Sequence, residues 1–242
     1  MTFPLRSIRR YPVKAMGGEA LTEVELDARG LVGDRGFAVA DDDGKFASGK
    51  NTRRFRRRDG VFEYAASTTA DGSVQVQRGD HGLWLIGDEE LDADLSKRMG
   101  ASVRALPEAD IPMQDGGQIS IVGTASLAWC AERFGIDADS RRLRVNFVVE
   151  TDEPFIEETW LGHEITVGDA RLRVVERVER CRTIDVAQDG TAAEGRLLIP
   201  LTKEREMSLA VYADVVVPAT IRVGDRVEPV ADRVEPVGAL SD

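Results

Sequence analysis

Short runs of alternating apolar and polar residues dominate this chain of 242 residues. Turn residues such as Asp-Gly separate the runs, a pattern typical of β-strands joined by hairpins. The spacing favours barrels or sandwiches over alternating βαβ units. We predict strands at residues 5–11, 21–26, 37–40, 61–66, 74–77, 143–149, 165–167, 172–178, 197–200, 209–217 and 221–227.

Two segments instead show the pattern of helices. Residues 88–99 begin with Asp88, carry acidic residues in the first turn and are followed by Gly100. Residues 124–134 place apolar side chains on one face and are followed by Gly135. An acidic first turn and a glycine after the last turn are typical helix boundaries. Between the helices, residues 106–118 contain two prolines and two glycines, so we predict a linker there.

Composition narrows the class of protein. The chain carries 43 Asp and Glu against 32 Lys and Arg, a net charge of −11, which argues against nucleic-acid binding. Its apolar runs fall short of the roughly 18 residues that a membrane helix needs, and its start lacks a signal-peptide pattern. Two cysteines and two histidines are too few for a disulfide framework or a tetrahedral zinc site. We therefore expect a soluble, cytoplasmic protein.

The two cysteines have different surroundings. Cys130 lies on the apolar face of the second predicted helix, where a thiol acts as a small hydrophobic side chain. Cys181 stands between Arg180 and Arg182, whose positive charges favour the thiolate, the form that acts as a nucleophile or soft-metal ligand. From the residues alone, a buried structural role and a functional role for Cys181 are equally open.

Two further segments each allow a functional and a structural interpretation. Residues 30–36 place three glycines around Asp34 and Arg35, so the arginine could hold a phosphate, or the two side chains could pair in a turn. Residues 50–58 concentrate positive charge, which could guide an anionic ligand or an acidic electron-carrier protein. A solvated charged loop is the simpler interpretation of that block.

Several motifs, in one order along the chain, resemble a known family. They are Tyr-Pro-Val-Lys at 11–14, Gly-Leu-Val-Gly-Asp-Arg at 30–35, Thr-Ala-Ser-Leu at 124–127, Arg-Val-Asn-Phe-Val-Val at 144–149, Pro-Phe-Ile-Glu-Glu-Thr-Trp at 154–160, Arg-Cys-Arg-Thr at 180–183 and Ile-Arg-Val-Gly-Asp at 221–225. Together they resemble MOSC proteins with an N-terminal β-barrel domain, in particular YcbX-like proteins and the mitochondrial amidoxime-reducing component. The resemblance covers about residues 3 to 230.

The resemblance implies a mainly β fold with a few helices (α+β). A MOSC N-terminal β-barrel domain would cover residues 1–108 and a MOSC β-barrel domain residues 109–232, with the cofactor between them. Residues 233–242 would form a C-terminal tail.

The resemblance also implies a molybdenum cofactor, a pterin dithiolene that carries a phosphate, and the family is associated with pyridoxal phosphate binding as well. Cys181 stands at the position of the metal-binding, catalytic cysteine, and a pterin that supplies two sulfurs leaves room for one protein thiolate. Lys14 and Arg35 would hold phosphate and pterin, and Arg180 would add positive charge. Contacts from the MOSC side are implied for Thr124, Ser126, Arg144 and Asn146.

The implied activity is that of a molybdenum-dependent oxidoreductase that reduces N-hydroxylated compounds such as hydroxylamines, N-hydroxylated bases or amidoximes. A separate ferredoxin- or flavoprotein-type donor would supply electrons, since the chain lacks a Cys-x4-Cys-x2-Cys run. Asp185 and Asp214 are candidate proton donors. Ala15 departs from the family's usual serine, so one cofactor hydrogen bond would be missing or replaced.

Two other functions stay open. The protein could be a carrier of molybdenum cofactor or sulfur, with a persulfide on Cys181 and no turnover. It could also be a non-catalytic regulator that binds an acidic partner through residues 50–58.

Overall fold

The computed structural model describes residues 1–110, 112–193 and 196–230. Its strands are β1 (Phe3–Arg10), β2 (Glu19–Leu21), β3 (Glu23–Asp27), β4 (Gly30–Leu31), β5 (Phe37–Asp41), β6 (Phe46–Ser48), β7 (Phe55–Arg57), β8 (Ala65–Thr68), β9 (Val74–Gln77), β10 (Leu83–Leu85), β11 (Val103–Pro107), β12 (Ile119–Gly123), β13 (Phe147–Val149), β14 (Glu164–Val167), β15 (Ala170–Glu179), β16 (Ser208–Val217), β17 (Thr220–Arg222) and β18 (Arg226–Pro229). Its α-helices are α1 (Glu89–Met99), α2 (Thr124–Phe134), α3 (Ser140–Leu143) and α4 (Leu198–Arg205). The predicted mainly β fold is confirmed.

A closed barrel of seven strands forms the larger lobe. The strand order is β13-β12-β16-β15-β14-β18-β1, and β1 pairs with β13 to close the ring. Every second side chain of a strand faces the same way, so Leu172 and Val174 of β15 point inward and are fully buried. They pack with Leu5, Phe147 and other apolar residues in the barrel core. Closure leaves the ring without an unpaired strand edge.

The first strands of the chain belong to this barrel. β1 pairs with β18, and β3 pairs with β17, so the N-terminal segment is locked between strands from the end of the chain. The predicted division at residue 108 therefore does not separate the strands of one lobe from those of the other. The predicted tail at 233–242 lies outside the described residues.

The smaller lobe is built around a second core. A four-stranded sheet (β11-β5-β6-β7) and a three-stranded sheet (β10-β9-β8) surround buried side chains such as Val39 and Val76. Helix α1 covers this core with Leu91 and Leu95, which lie four residues apart on one helix face. A third core lies under α2 and α4 and includes Cys130.

Both predicted helices are confirmed. Helix α1 follows Asp88, and Gly100 after it has a φ of 64°, the left-handed conformation that glycine adopts without strain. Helix α2 ends in the same way at Gly135, also with a φ of 64°. No helix in the described part of the chain is long and apolar enough to cross a membrane.

Five predicted strands are wrong in whole or in part. The one at 21–26 is divided between β2 and β3. Residues 61–63 belong to a 3-10 helix (Asp59–Glu63), Leu143 ends α3, and residues 221–227 form two strands around a turn. The run at 197–200 opens helix α4 instead of forming a strand. A short apolar run suits a buried helix face as well as a strand, and Pro200 is tolerated in the first turn of a helix.

Candidate functional site

A pocket between the two lobes brings together five of the eight predicted site residues. They are Lys14, Arg35, Arg144, Arg180 and Cys181. The space between the pocket walls, including its open mouth, is about 790 Å³. Sequence positions more than 160 residues apart meet here because β1 from the start of the chain closes the barrel that β15 also helps to form.

Cys181 lies directly after β15, where the chain leaves the barrel for a 3-10 helix (Arg182–Asp185). Its side chain is partly exposed to the pocket, and its Sγ lies 3.3 Å from Oγ1 of Thr183. The Thr183 hydroxyl can donate to a thiolate at this distance. Cys130, in contrast, is fully buried, and burial raises the pKa of its thiol to about 12. Cys130 is thus buried as expected, and Cys181 is the cysteine that a ligand in the pocket can reach.

The arginines beside Cys181 are held by other groups. Arg180 donates to the carbonyl of Leu209 through Nε (2.7 Å) and Nη2 (2.6 Å) and to that of Leu143 through Nη1 (2.8 Å). Burial lowers the pKa of Arg180 to about 10. Arg182 forms a two-pronged ion pair with Asp59 at 2.8 and 2.7 Å. Both therefore hold the loop that carries Cys181 in place, and Arg180 alone of the two lines the pocket.

Arg35 both pairs with Asp34 in its turn and faces the pocket, where it could hold a phosphate. Its Nη1 pairs with the fully buried carboxylate of Asp34, and its side chain also lines the pocket. Burial opposes the charged form of Arg35, but the Asp34 carboxylate outweighs burial and raises the pKa of this guanidinium. Its Nη2 donates to the backbone carbonyl of Arg144 at 3.1 Å, which links the turn to the opposite wall of the pocket.

Arg144 is a pocket cation with little support from hydrogen bonds. Its guanidinium lies over the ring of Tyr11, 4.4 Å from the centroid, and Nη1 makes a long hydrogen bond of 3.4 Å to Gln188. Its Nη2 is buried and has no hydrogen-bond partner among the described residues. Burial lowers the pKa of Arg144 to about 10, so it still carries its charge at neutral pH. A buried, charged donor without a partner indicates a missing acceptor, which an anionic ligand would supply.

Lys14 is held by the segment that links the two helices in the sequence. Its Nζ donates to the carbonyl of Met113 at 2.8 Å and to Oδ1 of Asp115 at 2.9 Å. Burial lowers the pKa of Lys14 to about 8, although the Asp115 carboxylate opposes this change. Burial disfavours the charged form of Asp115 as well, yet the Lys14 ammonium lowers the pKa of Asp115 to about 2.

Three predicted site residues, Thr124, Ser126 and Asn146, do not line the pocket. The Thr124 hydroxyl donates to the carbonyl of Thr151, and Ser126 Oγ accepts from the backbone N–H of Phe155. These hydrogen bonds join the start of α2 to a neighbouring loop. The structure therefore places both hydroxyl groups in hydrogen bonds outside the pocket lining, and their expected cofactor contacts stay a prediction.

The side chain of Asn146 is equally occupied. Its Oδ1 accepts from the backbone N–H (3.1 Å) and the hydroxyl (3.0 Å) of Ser120, and its Nδ2 donates to the carbonyl of Arg9 (3.2 Å). These bonds tie β12 and β1 to the segment before β13. A side-chain type that suits a pterin edge suits buried strand backbone equally well, and the latter is what Asn146 contacts here.

The candidate proton donors lie outside the pocket lining as well. Asp185 accepts from the backbone N–H of Leu198 at the start of α4 (3.3 Å). Asp214 is on β16, opposite Arg173 of β15. Ala15, the residue that replaces the family's serine, does line the pocket.

Three of the six cations in the basic block at 50–58 form ion pairs within the smaller lobe. The partners are Asp41 for Arg56 and Arg58, Asp59 for Arg57, and the carbonyl of Pro112 for Arg54. Lys50 differs, because it lines the pocket and lies 5.2 Å from the ring centroid of Phe55. The block therefore adds one cation to the pocket, and most of its remaining charge is paired.

Sequence reasoning missed several residues that line the pocket. They include Ser48, Asp115, Ser120, Arg142, Thr183 and Tyr212. Asp115 falls in the predicted linker, where nothing in the local sequence distinguishes it from other acidic residues of this chain. Tyr212 lies on a predicted strand, but strand periodicity does not show what the side chain faces.

The residues of the pocket suit an anionic group that contains a metal and binds one protein thiolate. The pocket combines an accessible thiol, an unpartnered guanidinium nitrogen and further cations on both walls. In the described part of the chain, no three or more His, Cys, Asp or Glu side chains cluster as metal ligands do. Lys14, Arg35, Arg144 and Cys181 could therefore hold a phosphate-bearing metal–pterin group that requires a single protein thiolate.

The fold and the pocket define a two-lobed β-barrel protein with a cationic cleft around one cysteine. The chain belongs to the MOSC domain family: the MOSC domain matches residues 108–228, and the MOSC N-terminal beta barrel domain matches residues 2–81. The family expected from the sequence motifs is confirmed.

Among curated proteins, the chain is similar to the Danio rerio protein named molybdenum cofactor sulfurase, with 24% identity over 230 residues. The match covers 74% of this chain and 27% of the relative, so the chain spans about a quarter of that protein's length. Among solved structures, the YuaD protein from Bacillus subtilis has the same fold, with a TM-score of 0.54, 14% identity and coverage of 95% of this chain and 96% of that one. YiiM from Escherichia coli matches with a TM-score of 0.45 and 12% identity, over 96% of this chain and 70% of its own.

Proposed function

We propose that this protein binds a molybdenum cofactor and acts as an oxidoreductase that reduces N-hydroxylated compounds with electrons from a separate protein. The observation that carries the cofactor is the buried, unpartnered Nη2 of Arg144 in the same pocket as Cys181. Membership of the MOSC domain family and the molybdenum cofactor sulfurase relative support a link to molybdenum cofactor. The reductase activity rests on the resemblance of the motifs to amidoxime-reducing proteins.

Each pocket residue has a distinct role in this proposal. When bound, the cofactor supplies a molybdenum centre for two-electron oxygen transfer. Cys181 would ligate the metal through its thiolate, and Lys14, Arg35 and Arg144 would hold the anionic parts of the cofactor. Arg180 fixes the loop before Cys181 through three hydrogen bonds to backbone carbonyls.

The overall reaction balances as R–NHOH + 2 e⁻ + 2 H⁺ → R–NH₂ + H₂O. The N–O bond breaks, the oxygen leaves as water, and the separate donor supplies both electrons. Asp115 cannot supply the protons near neutral pH, because its pKa is about 2. Lys14 is protonated at that pH and can donate, since its pKa is about 8. Lys50 at the pocket would favour an acidic electron donor.

The decisive experiment compares the two cysteines in protein expressed in a host that makes molybdenum cofactor. Wild type should carry molybdenum and pterin and should reduce an N-hydroxylated purine with an artificial reductant. Cys181→Ser should lose metal and activity, whereas the matched control Cys130→Ser should keep both if it folds. Wild type without molybdenum or pterin would rule out the proposal.

A second candidate is a sulfur or cofactor carrier with a persulfide on Cys181 and no turnover. The relative named molybdenum cofactor sulfurase favours this alternative, although the match spans only a quarter of that protein. Intact-protein mass spectrometry separates the two functions, because a carrier should show one added sulfur atom that reductant removes. We also propose pyridoxal phosphate binding, which the resemblance implies, and a cytoplasmic location.

A further inference from the structure

The segment at residues 113–117, here called the strap, lies against the pocket and holds Lys14. The carbonyl of Met113 and Oδ1 of Asp115 both accept from Nζ of Lys14, at 2.8 and 2.9 Å. Only 5% of Lys14 is exposed, whereas the side chain of Asp115 is half-exposed. The ammonium thus uses two of its three donors on the strap.

The strap is anchored at both ends by contacts away from Lys14. The backbone N–H of Met113 donates to Oε2 of Glu108 (2.6 Å), and Nε2 of Gln114 donates to the carbonyl of Arg29 (2.7 Å). At its other end, Gly117 packs so closely on Tyr212 that an added Cβ would lie 2.6 Å from the tyrosine Cβ. Asp115 stands between these anchors, where it faces the pocket.

Asp115 is a carboxylate among cations that would otherwise face an anionic ligand. Lys14, Arg35 and Lys50 all stabilise its charged form. A carboxylate and a phosphate oxygen are both strong acceptors for an ammonium group, so the two compete for the same donors. Glu179 also lines the pocket but forms no ion pair with Lys14.

We propose that Asp115 is an internal counter-anion that occupies the phosphate position next to Lys14 and must be displaced when an anionic ligand binds. The inference rests on the proposed anion site, but it concerns how that site loads and not which reaction follows. Asp115 thereby weakens the binding of weak anions and makes the pocket selective for ligands with several charges or with additional contacts.

The test uses the full-length chain, inorganic pyrophosphate as the probe and isothermal titration calorimetry. We expect Asp115→Asn to bind pyrophosphate at least about tenfold more tightly than wild type, because a direct competitor for Lys14 is removed. Glu179→Gln removes the same charge from the same pocket without touching the Lys14 pair, so its gain should stay below about threefold. In a Lys14→Met background, most of the Asp115→Asn gain should disappear.

Two results would overturn the inference. One is an equal gain in Asp115→Asn and Glu179→Gln, and the other is an undiminished Asp115→Asn gain in the Lys14→Met background. Asp115→Ser repeats the test if Asp115→Asn does not fold. Because the probe contains neither molybdenum nor pterin, failure here is distinguishable from failure of the proposed function, which is measured as metal and pterin content.

Discussion

The guanidinium of Arg144 lies 4.4 Å from the ring centroid of Tyr11, and its buried Nη2 has no hydrogen-bond partner among the described residues. The ring face offers partial compensation for the buried charge, but it accepts no hydrogen bond at Nη2. A buried guanidinium nitrogen without an acceptor destabilises the ligand-free protein, and a bound anion would supply the missing acceptor.

Replacing Arg144 should therefore separate stability from binding. We expect Arg144→Met to keep or raise the melting temperature, because it removes a poorly paired buried charge, and to weaken pyrophosphate binding about tenfold or more. Thermal unfolding and calorimetric titration measure the two effects. Arg53→Met, at an exposed position of the basic block, is the control and should change both little. A clear loss of stability with unchanged affinity would show that Arg144 is a structural residue.

Anion binding should also depend on pH through Lys14. Burial lowers the pKa of Lys14 to about 8, and its neighbours Asp115 and Arg35 keep their charges in this range. The ammonium is thus present below pH 8 and lost as the pH rises. We expect sulfate, which stays a dianion, to bind about tenfold more weakly at about pH 9.5 than at about pH 7. Lys14→Met should show a nearly flat profile, and a wild-type profile equally flat would contradict the assignment.

The two cysteines should differ in reactivity. Cys130 is fully buried and burial raises its pKa to about 12, whereas Cys181 is partly exposed in the pocket. Iodoacetamide at mildly alkaline pH should therefore modify Cys181 in the folded protein and leave Cys130 intact, since the thiolate is the reactive form. Peptide mass spectrometry locates the label, and denatured protein, in which both react, is the control. Equal labelling of both cysteines in folded protein would contradict the structure.

The parts of the fold that the sequence predicts are those with local causes. Helix α1 was predictable from its acidic first turn and the glycine after it, and helix α2 from its apolar face and the glycine after it, because these signals act within a few residues. The run at 197–200 was predicted wrongly because a short apolar segment is buried equally well as helix or strand. The closure of the barrel by β1 and β13 depends on contacts between distant segments, which local pattern does not carry.

In the candidate site too, local sequence patterns do not reveal contacts between distant residues. Lys14, Arg35, Arg144 and Cys181 were found because motifs of a known family contain them, and the structure places all four on one pocket. The contact of Asp115 with Lys14 joins positions about a hundred residues apart, so no local signal reveals it. Asn146, in contrast, has the right chemistry for a ligand contact, yet its Oδ1 bonds to Ser120 and its Nδ2 to the carbonyl of Arg9.

The hydrogen bonds of the Asn146 side chain lead to a prediction for its replacement. Replacement by Ala removes the acceptor of the Ser120 backbone N–H and hydroxyl and a donor to the carbonyl of Arg9 in a buried region, so we expect a loss of about 2–4 kcal/mol in the free energy of unfolding. Pyrophosphate affinity of the protein that still folds should match wild type. Urea unfolding measures the free energy of unfolding, and calorimetry measures the pyrophosphate affinity. Retained stability with lost affinity would instead return Asn146 to the ligand-binding residues.

The close packing of the strap on Tyr212 should make Gly117 intolerant of even one added carbon. A Cβ there would lie 2.6 Å from the Cβ of Tyr212, and neither atom can move without shifting backbone. We expect Gly117→Ala to lower the free energy of unfolding by about 1–3 kcal/mol, because the barrel strand that carries Tyr212 cannot yield easily. Gly36→Ala is the matched control, since an added Cβ at Gly36 meets no atom within 4 Å, and it should change stability by less than about 0.5 kcal/mol. Urea unfolding curves for the two variants decide the matter: equal stability would mean that the strap does not rest on Tyr212 as described.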